Sequence, residues 1–290
     1  MKVINDFLEY IILDLNKGKK LEAWNNIILN RPDPQVIWDK SEDIDWNIAH
    51  AIYTRSNTGG GNWQIKKNIP SSWIVSYQDL KFNLKLMGFK HTGLFPEQAY
   101  NWNILRNCIK KASRKVKVLN LFAYTGAASI ACLKEGASVV HVDSSRGMIE
   151  WAKENVKLNH LEDASVRFLV DDVRKFVKRE IRRGNKYDII IMDPPSFGRG
   201  AKQEVWNIET DLDNLIKDTA ELLSDDPLLF IINSYTTGLS KTVLEDILYL
   251  RVNSKFKGLI SSDELGLPVK DSNLILPCGL YARLERQKLK

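Results

Sequence analysis

The chain predicts an α/β fold, a doubly wound and mostly parallel sheet over residues 91–290, preceded by a small, mostly β domain over residues 1–90. Two observations predict it. From about Lys115, short apolar runs alternate with amphipathic stretches of about a dozen residues, as expected of strands joined by crossover helices. Before residue 90 the texture differs, with many Trp and Asn residues, turn signals and short alternating apolar bursts.

In the front region, "NRPDPQVIW" and "SNTGGGNWQI" read as turns feeding strands. "SWIVSYQDLKFNLKLM" reads as two half-buried strands joined near Gln78 and Asp79. The triple glycine 59–61 lacks both the following helix and the Lys-Ser/Thr of a P-loop, so it reads as a hairpin tip. Trp24, Trp38, Trp46, Trp63 and Trp73 are expected mostly in the core, which large side chains must fill in a small β domain. Stacking on unpaired bases is the alternative use for them.

Further on, "KVKVLNLFAY" reads as a buried strand and "GAASIACLKEG" as a helix closed by Gly136. "SVVHVD" is a second strand, "SRGMIEWAKENVKLN" a helix, "SVRFLV" a strand, "DVRKFVKREIRRG" a helix and "YDIIIMD" a strand. A helix over 208–223, the strand "LLFIINS", a helix over 240–250 and strands near 256–261 and 279–285 complete the pattern.

Composition narrows the classes. Of 290 residues, 44% are hydrophobic and 27% charged, which suffices for a real core. No apolar run approaches the ~20 residues that span a bilayer. The first fifteen residues carry acids and lack a small-residue cleavage site, so the expectation is a cytoplasmic protein. Three cysteines without a CxxC pair argue against a disulfide framework or a metal site. A formal charge of +6 mildly favours anionic partners such as nucleic acid.

In doubly wound sheets, ligands bind beyond the carboxyl ends of the strands. Here the first strand is followed by "NLFAYTGAAS", where Gly126 permits a tight turn. The second strand ends in Asp143, the third in Asp171 and Asp172, and the fourth in Asp193-Pro194-Pro195. Each acid alone reads equally as a helix N-cap. Together they suit a ligand with a ribose and an adenine. There is a single glycine rather than GxGxxG and nothing suited to a pyrophosphate.

Residues 89–285 resemble class I S-adenosylmethionine-dependent methyltransferases, and more narrowly the bacterial 23S (large-subunit) ribosomal RNA methyltransferase group and its uncharacterised relatives. The residues that carry the resemblance are "TGLFPEQAYNW", "VLNLFAYTGAASIACLKEGASVVHVDSS", "DDV" and "DPPSFGRG". It implies a sheet order of 3-2-1-4-5-7-6 with the last strand antiparallel, "LPCGLYARL" supplying that strand. It implies S-adenosylmethionine as cofactor, lined by Phe95, Pro96 and Gln98 and by the loop Asn120, Phe122, Ala123, Tyr124, Thr125 and Gly126. Asp143 would hold the ribose with Ser144 beside it, Asp172 and Val173 would meet the adenine, and Asp193 would face the amino group or the methyl centre.

In amino-methyltransferases, similar Asp/Asn-Pro-Pro-aromatic segments hold a target amine and stack a flipped base. Here Ser196 intervenes, so Phe197 arrives one residue late. The 5-methylcytosine branch attacks the ring with a cysteine after strand five, whereas this chain has "IINSYTTG" there. The expected reaction is therefore methylation at nitrogen or oxygen without a cysteine nucleophile. Asp193, Pro194, Pro195, Phe197 and Asn233 are the expected catalytic positions. Ser196, Arg199, Lys202 and Ser234 are the expected substrate contacts, the two cations meeting phosphates. RNA, ribosomal above all, is the expected substrate. A protein side chain or small molecule, and a non-catalytic scaffold, stay open as alternatives.

Overall fold

The computed structural model describes residues 1–39, 44–56, 60–199 and 205–286. Gly59 and Lys202 lie outside them. The chain divides into two units, one of Met1–Tyr100 with Leu265–Cys278, the other of Asn101–Glu264 with Gly279–Lys290.

In the first unit β1 (Lys2–Val3) is followed by β2 (Tyr10–Asn16), β3 (Lys19–Trp24), β4 (Ile27–Pro32), β5 (Ala51–Arg55) and β6 (Gly61–Ile65). Strands β2 to β6 form a five-stranded sheet in sequence order, and β7 (Trp73–Tyr77) pairs with β8 (Leu80–Leu84) as a hairpin. The two-residue loop at Gln78 and Asp79 is where the alternation placed it, and Gln78 takes φ 53 to make the turn. Leu15, Leu21, Trp24 and Leu29 are fully buried, and Trp24 packs on Tyr10 with ring centroids 4.3 Å apart. Trp24 and Trp73 are core residues, while Trp38, Trp46 and Trp63 are half-buried. The Trp46 and Trp63 indoles donate to Asp14 Oδ2 and to the Phe89 carbonyl.

"NRP" is strand, not turn. Arg31 lies buried inside β4 because its guanidinium finds Glu22 there at 2.6 Å.

The second unit carries helix α1 (Ala99–Lys111, which starts two residues before it), β9 (Lys117–Leu121), α2 (Ala127–Lys134), β10 (Ser138–Asp143) and α3 (Arg146–Leu158). Then follow β11 (Val166–Val170), α4 (Val173–Arg183), β12 (Ile189–Met192), β13 (Phe197–Arg199), β14 (Val205–Asn207), α5 (Ile208–Ala220), β15 (Leu229–Ser234), α6 (Lys241–Arg251), β16 (Gly258–Pro268) and β17 (Ile275–Arg286). The sheet runs β11-β10-β9-β12-β15-β17-β16, with β17 antiparallel to β15. This is the order 3-2-1-4-5-7-6 with the reversed last strand. Its central strands read as unbroken apolar runs because helices cover both faces; every residue of β12 and β15 is buried.

Two features lay beyond the sequence pattern. Strand β1 pairs in parallel with Leu265 and Gly266 of β16. Helix α1 is the second; its last turn places Lys110 and Lys111 at the negative end of the helix dipole.

Candidate active site

The loop after β9 has an unusual backbone. Phe122, Tyr124 and Gly126 all have positive φ, at 56, 51 and 89. Such values are rare for bulky residues and persist where surrounding contacts enforce them. Here the enforcing contacts are plain. Ala123 N donates to the Val142 carbonyl at 3.0 Å, Tyr124 N to Asp143 Oδ2 at 2.9 Å, and Asn155 Nδ2 to the Thr125 carbonyl at 3.0 Å. A Cβ at Gly126 would sit 3.1 Å from the Ala152 Cβ, so the glycine is required for close approach as well as for its φ. Asn120, just before the loop, is buried and donates to Ser129 Oγ at 2.9 Å; Ser129 in turn meets His141 Nδ1 at 2.9 Å. Burial holds His141 down to about 3, so this small network is uncharged.

Asp143 ends β10 and faces that loop. Its Oδ2 accepts from Tyr124 N and its Oδ1 from Ser145 N at 2.8 Å, with Ser144 between Asp143 and the N-cap Ser145. Burial raises its carboxyl above the usual range, and the two N–H donors oppose that rise. Each oxygen keeps a lone pair for a further donor, such as a ribose hydroxyl. Asp171 N donates to the Asp143 carbonyl at 3.0 Å, which brings the next acidic pair to the same rim. Asp171 is ion-paired with Arg179, and Asp172 caps α4 by accepting from Lys175 N at 3.0 Å, with Val173 as the first helical residue.

The Asp-Pro-Pro segment leaves β12 at Met192 and turns into the hairpin β13–β14, whose tip lies outside the described residues. Asp193 is half-buried, Pro194 buried, and Pro195, Ser196 and Phe197 exposed. Trp206 Nε1 donates to the Pro195 carbonyl at 2.6 Å, and its ring packs on Phe122 of the β9 loop at 5.4 Å. The Arg174 guanidinium lies over the Trp206 ring itself, 5.9 Å from its centroid. Ser196 Oγ meets Thr236 Oγ1 at 2.7 Å, and Ser234 Oγ accepts from Thr236 N at 3.2 Å. Asn233 is buried at the end of β15 and accepts from Asn101 Nδ2 at 2.8 Å.

The structure therefore gathers Phe122–Gly126, Asp143, Ser144, Asp172, Val173, the Asp193–Phe197 segment, Asn233 and Ser234 along one edge of one sheet. Arg199 lies in β13. Phe95, Pro96 and Gln98 belong to the first unit, where residues 96–98 form a short 3-10 turn entered through the extended Phe95. Sequence reasoning missed Asn101, Asn155, Trp206 and Thr236. The indole of Trp206 carried no local signal, because its partner lies eleven residues away across a hairpin.

Family comparison agrees with this geometry. The family model for S-adenosylmethionine-dependent methyltransferases matches residues 33–249. The chain belongs to that family. The methyltransferase is also similar to the crystal structure of an S-adenosylmethionine-dependent methyltransferase from Agrobacterium tumefaciens. The two share 34% identity over 99% of this chain and 93% of that one, with a TM-score of 0.91. Among curated proteins it is 35% identical over 186 residues to ribosomal RNA large subunit methyltransferase K/L of Shewanella frigidimarina, covering 63% of this chain and 25% of that protein. It is 27% identical over 239 residues to the protein of the same name from Colwellia psychrerythraea, covering 80% and 30%. The chain thus spans only between a quarter and a third of the length of these curated relatives. S-adenosylmethionine is the family's cofactor, and the donor set fits it: a carboxylate with spare lone pairs at the second strand, a backbone turn that only glycine closes, and no cluster of cations suited to a pyrophosphate among the described residues of that loop.

Proposed function

We propose that this methyltransferase acts on RNA, ribosomal RNA first, at a nitrogen or oxygen atom and in the cytoplasm. The observation that carries the reading is the conjunction at the mouth of β12: an acid, a pinned proline carbonyl and an exposed Phe197 in one segment, next to Asn233. The names of the curated relatives and the charge of +6 support an RNA substrate.

S-adenosylmethionine supplies an electrophilic methyl group on a sulfonium. The chain's part is to bind, orient and keep dry. Asp143 takes the ribose hydroxyls, Ser144 lies beside them, and Asp172 with the Val173 N–H meets the adenine. The turn Phe122 to Gly126, with Asn120 fixed beneath it, cradles the methionine half. Asp193 and the carbonyls set by Pro194 and Pro195 hold the nucleophile, and the Asn233 amide and the Ser196 and Ser234 hydroxyls orient it. Phe197 stacks on the target base, and Arg199 and Lys202 meet neighbouring phosphates. The front unit presents the RNA. Burial pushes the Cys108 thiol up to about 11 and raises Cys132 and Cys278 above the usual range, which supports a reaction without a thiolate.

The test uses tritiated-methyl S-adenosylmethionine with ribosomal subunits, total RNA and total protein from a strain lacking the gene. Label in large-subunit RNA, traced to a nucleoside by digestion, bears the proposal out. Label confined to protein overturns the RNA substrate.

A further inference from the structure

The first unit holds a group of cations that the acids beside them do not fully pair among the described residues. Lys20 and Arg31 are direct cross-strand partners on β3 and β4. Arg31 is committed to Glu22 at 2.6 Å and to the Lys90 carbonyl at 2.9 Å, and Lys20 to Asp33 at 3.2 Å. Those two acids are thereby used. Lys90 is half-buried, and its ammonium has no hydrogen-bond or ion-pair partner among the described residues. Asp33 attracts it, while Lys20, Arg55 and Arg31 repel it. Burial first, then those cations, bring the Lys90 amine down to about 8.

The placement of Lys90 is built rather than incidental. Its own carbonyl is held by Arg31, and the carbonyl of Phe89 before it accepts from Trp63 Nε1 at 3.2 Å. Lys85 N closes the segment by donating to the Thr92 carbonyl at 3.2 Å. Next in sequence, His91 lies within 6.3 Å of the Phe89 ring. Burial and the same cations hold His91 down to about 3. An ammonium taken partly out of water, with one acid attracting it and three cations repelling it, is eased by a further anion.

We propose that Lys90, with Lys20 and Arg55 beside it, forms an anion site that takes a backbone phosphate of the RNA substrate. The inference rests on the RNA reading above and adds a place on the first unit where the strand is gripped. Asp33 keeps Lys20 in position, and Arg55 is exposed at the end of β5.

The experiment compares the wild-type chain with Lys90→Gln and with Lys178→Gln, an exposed lysine of α4. Binding of a fluorescein-labelled, mixed-sequence RNA of about 12 nucleotides is followed by anisotropy across a salt series. One lost phosphate contact lowers the slope of log affinity against log salt by about 0.7 for single strands. The expected result is that loss for Lys90→Gln and none for Lys178→Gln. Lys90→Gln is expected to fold, since its ammonium bonds to nothing among the described residues. A second readout follows the Lys90 pKa by NMR of the dimethylated lysines. RNA is expected to raise it, and inorganic phosphate at equal ionic strength to raise it less. An unchanged slope overturns the site and leaves the RNA reading standing. A wild-type chain that binds no RNA, but whose Lys90 responds to inorganic phosphate, overturns the RNA phosphate as the ligand together with the RNA reading.

Discussion

Asn101 Nδ2 donates to Asn233 Oδ1 across 2.8 Å, between helix α1 and the end of β15. Because the oxygen of the Asn233 amide accepts from Asn101, the orientation of the amide is set and its NH2 group is left to donate. Asn101 is thus a positioning residue for a proposed catalytic amide. Asn101→Leu leaves a buried acceptor short of a partner, at a cost of about 1–3 kcal/mol. Turnover should fall by ~10-fold or more with cofactor affinity unchanged in calorimetry. Equal losses in both would assign Asn101 a purely structural role.

Trp206 joins two loops, donating to the Pro195 carbonyl and packing on Phe122. Trp206→Phe keeps the ring contact and removes the donor, so kcat should fall while cofactor affinity holds. Trp206→Ala removes both, and cofactor affinity should then fall as well. The two variants are read by single-turnover kinetics and by calorimetry.

Gly126 has φ 89, and a Cβ there would crowd the Ala152 Cβ at 3.1 Å. Gly126→Ala should lower thermal stability by about 1–3 kcal/mol and weaken cofactor binding by a comparable factor. A variant with wild-type affinity would remove this turn from the cofactor site.

Asp143 has a carboxyl raised by burial against the pull of two N–H groups. Its raised folded pKa means that this group favours folding below the ordinary carboxylate pKa of about 3.9, and that this contribution is lost as pH rises through the folded value. Cofactor binding runs the opposite way, since only the ionised carboxylate accepts from both backbone donors and a hydroxyl together. Affinity should therefore weaken as pH is lowered from neutral toward about 4, and Asp143→Ala should abolish that dependence along with most of the affinity. Calorimetry across the pH range reads both.

Glu22 is fully buried. Burial alone would raise its carboxyl; Arg31, Lys20 and the bonds from Arg31 and Trp24 outweigh it and hold it at about 2. A depressed carboxylate contributes stability above its unfolded pKa, and that contribution disappears between about 4 and about 2. Glu22→Gln leaves Arg31 buried without its counter-charge, a loss of about 3–5 kcal/mol. Denaturant unfolding should show this loss at neutral pH, and the difference from wild type should shrink toward pH 2.

The second unit was legible because its local signals agree with one another. Apolar runs of strand length, amphipathic stretches of helix length, Gly184 past α4 and Ser145 before α3 all mark the same elements. Asp143 and Gly126 were readable for the same reason, since each falls at a strand end with a fixed relation to the next helix. Trp206, Asn101 and Thr236 were not, because what matters about them is a partner brought in by topology. The short β1 was hidden, since two residues carry no periodicity.

The sequence by itself determined the fold class and the row of acids at the carboxyl edge of the sheet, because strand and helix periodicity and turn chemistry are written locally; the order of strands entered only as what the family resemblance implies. Only the tertiary structure decided which carbonyl Trp206 occupies, which way the Asn233 amide points, that Phe122 and Tyr124 take left-handed conformations, and that Lys90 stands among cations with no ion-pair partner among the described residues. Those are relations between residues distant in sequence. They follow from packing and from where buried polar groups find partners, and no local pattern encodes either.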